Sequence, residues 1–532
     1  MLDPDEVIEV VRDLWKRHER ERAEHDRVYD YLRGKRGVPD VPDGAGEELQ
    51  DLARMAVKNV LTIVVDAFAQ NLTVHGFRSP DSAENEPVWE WWQSQRLDAR
   101  QAEAHRPALS YGTSYAVLLG AAAGEAFGDE VRLRTPRQLF AVYEDPSFDL
   151  WPKYALETWI DRSGSKPVRK GILLDETHAY AVDLGSVSRL ADGSQEDRVR
   201  RIRPVIAQDE DGNPVPPLPH GADNCPVVRF VNARDAEDVV VGEVAPLIDQ
   251  QRAINAVNFD RLVVSRFGAF PQKYVIGWAP SGPGELAHAS AARLMAFEDE
   301  FVKVGDFAQA SVEPYNSILQ EMVTHVAMDA QIPLSSFGSI INLSAEALAM
   351  AEAPHQRKLH HKRESFGESW EQVLRLAGSL YGFEVDQSAE VVWRETEVRS
   401  FAQVVDGIVK LAQAGLPIEE LLTDVPGWTY QRVQEVRAAL RRSAGRDVLA
   451  ALRDGAGTPP APAPEEAGAV TPAGEDAAQL KVKFDALGVA IRAGVDPDVA
   501  AQRLGLTGLR FTGAMPVSLR LPEDEARRLE EK

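Results

Sequence analysis

The sequence is poor in cysteine and has no long apolar run. Cys225 is the single cysteine among 532 residues, so no intrachain disulfide can form, and we expect synthesis in a reducing cytoplasm. The residues around Cys225 predict a structural role at the start of a buried strand. No stretch approaches the roughly 20 apolar residues that a membrane-spanning helix needs, and the N-terminus lacks the features of a signal peptide. We therefore expect no association with a membrane.

The sequence also lacks an excess of positive charge. It has 59 Lys and Arg residues against 83 Asp and Glu residues, a net charge of −24. A protein that grips DNA tightly needs at least one basic face, because neutralising phosphates supplies most of the non-specific affinity. The composition of the whole chain therefore excludes a generally DNA-gripping protein. It is typical of many other soluble proteins.

The familiar catalytic motifs are missing as well. No G-x-x-x-x-G-K-[ST] segment is present to hold nucleotide phosphates, and H-E-x-x-H, C-x-x-C and G-x-S-x-G do not occur. His355, His360 and His361 are spaced so that His355 shares no helix face with the other two, and we expect neither a metal nor a cofactor. The sequence therefore predicts a protein that is not an enzyme. A nuclease or peptidase with a dispersed carboxylate cluster or nucleophile–base pair is the alternative.

The most informative stretch runs from Gln331 to Leu380. A turn-prone loop that contains Ser and Gly (333–342) leads into a strongly helical segment. Apolar side chains recur there at helical spacing and predict a single apolar face; they are Phe366, Trp370, Val373, Leu374, Ala377 and Leu380. Pro354 lies inside this segment, where it is expected to kink the helix or split it in two.

Two further helices come earlier in the chain. One is predicted from Pro246 to about Phe267 and the other begins at Pro314, with short strands and a Pro/Gly-rich turn between them. Alternating side chains over 170–208 predict an antiparallel meander. Three tryptophans, Trp89, Trp91 and Trp92, suggest either a stacking platform or core anchors; their helical spacing favours the core.

Several of these segments resemble one protein family. They are the P-L-S-S-F-G loop, the following N-L-S-A-E-A-L-x-x-x-E and F-G-E-S-W-E-x-V-x-R-L-A, and upstream PLIDQQRAINAVNFDRLVVSRFGAFPQKYVIG. Their order, over roughly Val7 to Arg442, resembles the portal proteins of long-tailed (siphovirus-type) double-stranded DNA bacteriophages. The resemblance implies an α+β fold. It further implies an elongated subunit with an α/β wing, a two-helix stem, a small β-containing clip, a long tunnel helix and a helical crown. About a dozen such subunits would close into a ring.

The resemblance also divides the chain into segments. They are the wing (1–245), first stem helix (246–268), clip (269–312), second stem helix (313–332), tunnel loop and tunnel helix (333–381), wing return and crown (382–453), a disordered linker (454–478) and a helical C-terminal appendix (479–532). The linker rests on composition, since it is dominated by Pro, Ala and Gly. The appendix lies outside the resemblance.

Three groups of site residues follow. The tunnel loop would line the channel with Ser335, Ser336, Phe337, Gly338, Ser339, Ile340, Ile341 and Asn342. A basic group on the tunnel helix is expected either to make weak DNA phosphate contacts, or to form a solvated face or intersubunit ion pairs: Arg357, Lys358, Lys362 and Arg363. Three acidic residues of the clip are expected to form either a docking patch or a solvated turn: Glu298, Asp299 and Glu300.

The function implied by the resemblance is that of a channel at one capsid vertex, through which genomic DNA is packaged and later ejected. An acidic chain suits a channel through which DNA must slide without sticking. The expected partners are further copies of the chain, double-stranded DNA bound without sequence specificity, the major capsid and scaffolding proteins, the terminase large subunit and a head-completion or adaptor protein. The protein would belong to the virion and assemble in the bacterial cytoplasm. A minor head or adaptor protein is a further alternative.

Overall fold

A computed structural model describes most of the chain. It covers residues 1–79, 85–146, 148–164, 166–187, 202–209, 211–235, 237, 239–268, 273–276, 294–297, 303–306, 311–338, 345–394, 401–413, 422, 425, 432–433, 435–442 and 497–503. The chain divides into two units, Met1–Arg442 and Ser443–Lys532. The described part of the second unit is one short helix, Pro497–Arg503.

Helices and strands are mixed along the first unit. The helices are α1 (Pro4–Leu32), α2 (Glu47–Met55), α3 (Val60–Ala69), α4 (Asn85–Ser94), α5 (Leu97–Arg100), α6 (Ala102–Tyr111), α7 (Ala121–Phe127), α8 (Ile248–Gly268), α9 (Glu313–Ala330), α10 (Ala345–Tyr381) and α11 (Phe401–Gln413), with α12 (Pro497–Arg503) in the second unit. The strands are β1 (Val74–Arg78), β2 (Thr113–Val117), β3 (Arg132–Arg134), β4 (Leu139–Val142), β5 (Tyr154–Asp161), β6 (Val168–Leu174), β7 (His178–Ser186), β8 (Val205–Ile206), β9 (Leu218–Pro219), β10 (Val227–Val231), β11 (Lys273–Ile276), β12 (Leu294–Phe297), β13 (Lys303–Asp306) and β14 (Glu390–Trp393).

The largest described sheet has the order β4-β5-β6-β7-β8, with β9 pairing to β7, and its strands are antiparallel. This sheet contains the meander predicted over 170–208, within the described residues. Three smaller sheets have the orders β10-β2-β3, β12-β11-β13 and β1-β14. The β11–β12 pair is parallel, while the other described pairs are antiparallel.

Each face of the large sheet contributes side chains to a different hydrophobic cluster. Side chains alternate between the two faces of a strand, so neighbouring positions belong to different clusters. Leu156, Leu173 and Tyr180 lie opposite one another in register and form a row that packs against Val11 and Trp15 of α1. The neighbouring positions, such as Ile172, face a second cluster. Cys225 belongs to that cluster and is 1% exposed, just ahead of β10. Its predicted structural role is confirmed.

The third and largest core surrounds the C-terminal half of α10 and includes the tryptophans of α4. Trp89 and Trp91 are each 8% exposed and Trp92 is 1% exposed. Trp89 and Trp92 stack at 5.7 Å between ring centroids. The tryptophans are therefore core anchors, as their spacing predicted.

At this level the chain is a mixed helix-and-sheet protein, in agreement with the predicted α+β class. Helices also occupy the two positions predicted before and after the β-containing excursion, as α8 and α9. The predicted linker, 454–478, lies outside the described residues.

Candidate channel-lining segment

The segment 333–342 follows a pair of antiparallel helices, α8 and α9. Near one end of the pair, Gln250 donates a hydrogen bond to Asp329; farther along, Arg261 Nη1 donates to Asn316 Oδ1 at 3.2 Å. An early residue of α8 thus meets a late residue of α9, and a later residue of α8 meets an early one of α9. The two helices therefore run in opposite directions, with the β12-β11-β13 sheet between them along the chain.

Helix α9 ends in a sharp turn that redirects the chain. Gln331 has a left-handed backbone (φ 56°), where glycine is the usual residue. The Gln331 N–H donates to Met328 O at 3.1 Å and the Ile332 N–H to Ala327 O at 2.9 Å, the bond pattern of a Schellman motif. Ile332, which is 6% exposed, packs against the core after this turn. The start of the following loop is therefore fixed to the subunit.

A short 3₁₀ helix, Leu334–Phe337, forms the described part of the loop. Leu334 and Phe337 pack against the core, whereas Ser335 and Ser336 are exposed. Gly338 ends the 3₁₀ helix with φ 82°, a left-handed conformation that glycine adopts without strain. The apolar side of this turn is thus directed to its own subunit and the polar side to solvent.

The remaining expected loop residues, Ser339, Ile340, Ile341 and Asn342, lie outside the described residues. The acidic group of the predicted clip, Glu298, Asp299 and Glu300, does so too. The described strand β12 ends just before it, at Phe297.

Helix α10 is continuous through Pro354, so the predicted possibility of a split is wrong. Proline has no N–H, and the carbonyl of Met350 therefore lacks its usual intrahelical donor. Pro354 is exposed and Met350 is 79% exposed. The missing bond therefore lies on an exposed part of the helix, and the C-terminal half of α10 is held by the core.

The C-terminal half of α10 is anchored by aromatic contacts. Phe366, Trp370 and Val373 are each 0% exposed, as the predicted apolar face requires. Trp370 Nε1 donates a hydrogen bond to His105 Nε2 at 2.8 Å, and the His105 ring stacks on Phe366 at 5.3 Å. His105 Nδ1 lies 3.1 Å from Leu72 O, which fixes the neutral tautomer with its proton on Nδ1. Burial lowers the pKa of His105 to about 3, although the hydrogen bond to Leu72 acts to raise it.

A buried cluster of charged side chains, the ion group, links α10 to Glu243, which lies shortly before α8. Glu243 accepts from Lys362 Nζ through Oε1 and from Lys358 Nζ through Oε2, both at 2.6 Å. Lys362 also donates to Asn232 Oδ1, and Lys358 donates to Ala330 O at 3.1 Å. Burial alone raises the pKa of Glu243, but the two ammonium groups outweigh it and hold that pKa below its ordinary value. Burial lowers the pKa of Lys362 despite Glu243.

This ion group corrects part of the expectation for the basic residues of α10. Lys362 is 2% exposed and its ammonium is bound within its own subunit, so it is not available to DNA or to a neighbouring subunit. Lys358 has the same carboxylate partner. Arg363 Nη2 donates to the carbonyls of Asn71 and Arg394, at 3.2 and 3.0 Å. Arg357 is exposed. Helical spacing alone does not separate the inward from the outward members of such a group.

Sequence reasoning missed Glu243, Asn232 and His105. Glu243 had one usable signal: it is the single charged residue in the apolar run 239–248, Val-Val-Val-Gly-Glu-Val-Ala-Pro-Leu-Ile. A carboxylate in such a run is buried only when it has a partner. Nothing in the sequence indicates which residues supply that partner.

No described group of three or more His, Cys, Asp or Glu side chains is arranged to hold a metal ion. His355 packs on Phe68, 4.8 Å between ring centroids, while His360 and His361 are exposed beside Glu364. Among the described helices, none has the length and apolarity to cross a bilayer.

Comparison with known families places this chain among the structural proteins of bacteriophages. The family model "Phage portal protein, SPP1 Gp6-like" matches residues 12–445, and the chain belongs to this family. It is 26% identical over 402 residues to the portal protein of Mycobacterium phage D29, covering 70% of this chain and 77% of that protein. It is 24% identical over 399 residues to the portal protein of Mycobacterium phage L5, covering 70% and 76%.

A solved chain described as "Virion of native gene transfer agent (GTA) particle" superposes with a TM-score of 0.40 and 12% identity, over 73% of this chain and 96% of that one. Family membership gives the function. The protein is a virion component that forms the channel at a capsid vertex through which the phage genome is packaged and ejected.

Proposed function

We propose that the protein acts without catalysis, as one subunit of a ring of about twelve copies around an axial channel. Residues 1–245 form the wing, α8 and α9 the stem, and 269–312 the clip. Residues 333–342 line the channel together with the N-terminal half of α10. The chain is made and assembled in the bacterial cytoplasm, where it meets the capsid and scaffolding proteins.

The observation that carries this proposal is the chemistry of the segment after α9. Ser335 and Ser336 are small, uncharged and exposed, and the 3₁₀ helix that bears them is fastened to the subunit by Leu334 and Phe337. No Lys or Arg occurs from 331 to 356. Such a surface makes no ion pairs with phosphates, so duplex DNA slides past it without being held.

The basic residues farther along α10 are also consistent with a channel that does not hold DNA. Lys358 and Lys362 are directed to Glu243, and this arrangement stiffens the subunit instead of attracting DNA. The exposed Arg357 is the member that we assign to a neighbouring subunit or to weak phosphate contact.

The clip is proposed as the docking place of the terminase large subunit during packaging and of the head-completion or adaptor protein afterwards. Glu298, Asp299 and Glu300 would supply its acidic contacts. Charge reversal at these three positions, with binding of each partner measured separately, tests this assignment.

Light scattering of the purified protein together with negative-stain top views tests the ring. A closed ring of about twelve subunits with an axial hole is the expected result. A compact monomer that cleaves DNA or peptide would contradict the proposal and favour the nuclease or peptidase alternative.

A further inference from the structure

A cavity of about 680 Å³ lies in the N-terminal part of the chain, bordered by α1, α3, α6, β5 and β6. Six arginines line it: Arg22, Arg33, Arg106, Arg137, Arg162 and Arg169. The described lining contains no Asp or Glu, although the whole chain has a net charge of −24. Positive charge is therefore concentrated here against the balance of the chain.

The solvent exposure of these arginines increases from the floor of the cavity to its mouth. Arg169 is 3% and Arg22 is 6% exposed, whereas the Arg106 side chain is 45% exposed. Arg33 and Arg162 are exposed as well. A ligand entering from solvent would thus meet the exposed guanidinium groups first and the buried ones last.

Carboxylates outside the lining hold several of the arginines in place. Asp26 accepts a 2.7 Å hydrogen bond from Arg137 Nε and lies 3.7 Å from Arg22, while Asp66 pairs with Arg106. The Arg137 guanidinium also lies 3.9 Å from the centre of the Tyr29 ring. Held in this way, a guanidinium group loses little freedom when it binds an anion.

Two buried histidines, His18 and His25, lie within the influence of the same arginines. The pKa of His18 is lowered to about 3, chiefly by burial; Arg22 and Arg169 act in the same direction, against the hydrogen bond to the Pro136 carbonyl. Burial lowers the pKa of His25 to about 4, with Arg137 and Arg22 acting in the same direction against Asp26. Both imidazoles are therefore neutral at pH 7 and add no charge to the cavity.

The charge density favours phosphate over carboxylate. A terminal phosphoryl group, as in ATP or tripolyphosphate, carries up to about two negative charges on three oxygens, whereas a carboxylate or a DNA phosphodiester carries one on two oxygens. Arginine forks bind phosphate in a bidentate manner. The volume is that of a small-ligand site, and Trp159, which is 39% exposed, provides an aromatic surface in the lining.

We infer that this cavity is a binding site for phosphate groups, supplied either by a free nucleotide or polyphosphate or by the backbone of DNA. It contains no residue of the segment 333–342. The inference therefore does not depend on the proposed channel lining or on the ring.

The test uses the full-length chain and three probes at low salt: tripolyphosphate, ATP and a short DNA duplex. Binding is measured by titration calorimetry on the wild type and on the double variant R106Q/R162Q, which changes the two exposed arginines of the mouth and preserves the buried floor. The matched control is R54Q/R252Q, whose arginines are exposed and pair with Asp51 and Asp249.

At least one phosphate probe is expected to bind the wild type and the control equally, and the mouth variant about tenfold or more weakly, as expected for lost charge-assisted hydrogen bonds. Binding of tripolyphosphate and ATP without DNA identifies a free ligand. Binding of DNA with competition by tripolyphosphate identifies the backbone. The inference is wrong if no phosphate probe binds or if the mouth variant binds as tightly as the wild type.

Discussion

Glu243 and Lys362 form an ion pair of 2.6 Å between two residues that are 8% and 2% exposed. They are 119 positions apart in the sequence. Because Glu243 directly precedes the turn into α8 and Lys362 lies in the middle of α10, this pair fixes the position of one helix relative to the other. Lys358 shares the same carboxylate.

Replacing Glu243 with Gln is expected to lower the free energy of unfolding by about 3 kcal/mol, because two ammonium groups would remain near one another without their counter-charge. Urea-induced unfolding of the purified protein measures the change. Glu364→Gln, on the exposed side of α10, serves as the control and is expected to change little. Equal stability of E243Q and the wild type would show that the pair does not contribute to anchoring.

The stability of the fold is expected to fall with acid through His105. Its folded pKa of about 3 lies below the ordinary 6.5, so the unfolded chain binds the proton more readily. The stability that His105 contributes is therefore complete above pH 6.5 and is lost as the pH falls toward 3. The main physical reason is burial, which disfavours the charged imidazolium. In addition, a proton on Nε2 would face the N–H of Trp370.

Thermal unfolding from pH 7.5 to 4.5 measures this effect. His105→Gln is expected to unfold at a lower temperature at every pH but with a smaller decline on acidification. His360→Gln, at an exposed position, should keep the wild-type decline. If the slope of H105Q equals that of the wild type, His105 is not a source of the acid sensitivity.

Pro354→Ala is expected to stabilise the protein by about 1–3 kcal/mol, because alanine restores the N–H for the Met350 carbonyl and favours the helix. The midpoint of thermal unfolding measures the gain. Gln356→Ala controls for the helix propensity of alanine at a site with no missing donor. A P354A protein that is less stable than the wild type would mean that the proline ring makes a packing contact that alanine loses.

Ser336→Cys provides a direct test of the channel lining. Cys225 is 1% exposed and burial raises the pKa of its thiol, so the wild type is expected to resist maleimide while the variant reacts. A bulky maleimide at position 336 is expected to block DNA packaging by assembled particles. The same label at Ser163→Cys, in an exposed turn, is expected to leave packaging intact. Packaging at the wild-type rate by the labelled S336C protein would place the segment away from the DNA path.

Local patterns predicted much of the framework. Phe366, Trp370 and Val373 recur at helical spacing, and that spacing alone identified the buried face of α10. The helical spacing of Trp89 and Trp92 likewise indicated the core. These features depend on residues a few positions apart, for which helix geometry is sufficient.

Contacts between residues far apart in the sequence could not be predicted from the sequence alone. Trp370 binds His105 across 265 positions, and no periodicity relates them. The same is true of Lys362, which looked like a solvated or DNA-facing residue until its partner was known. For Pro354 only the predicted split is wrong: the missing N–H is real, but tertiary anchoring of α10 keeps the helix continuous there.

The anchoring of α10 gives this helix the mechanics of a beam clamped at one end. Its 37 residues span about 55 Å, and the clamp is the aromatic cluster and ion group from Lys358 onward. Pro354 lies just ahead of the clamp and weakens the lateral bonding there. We therefore expect a sideways push on the first turns to be taken up by bending at Pro354, with little of it transmitted to the core. In that case the subunit would yield near its loop while its interior keeps its shape.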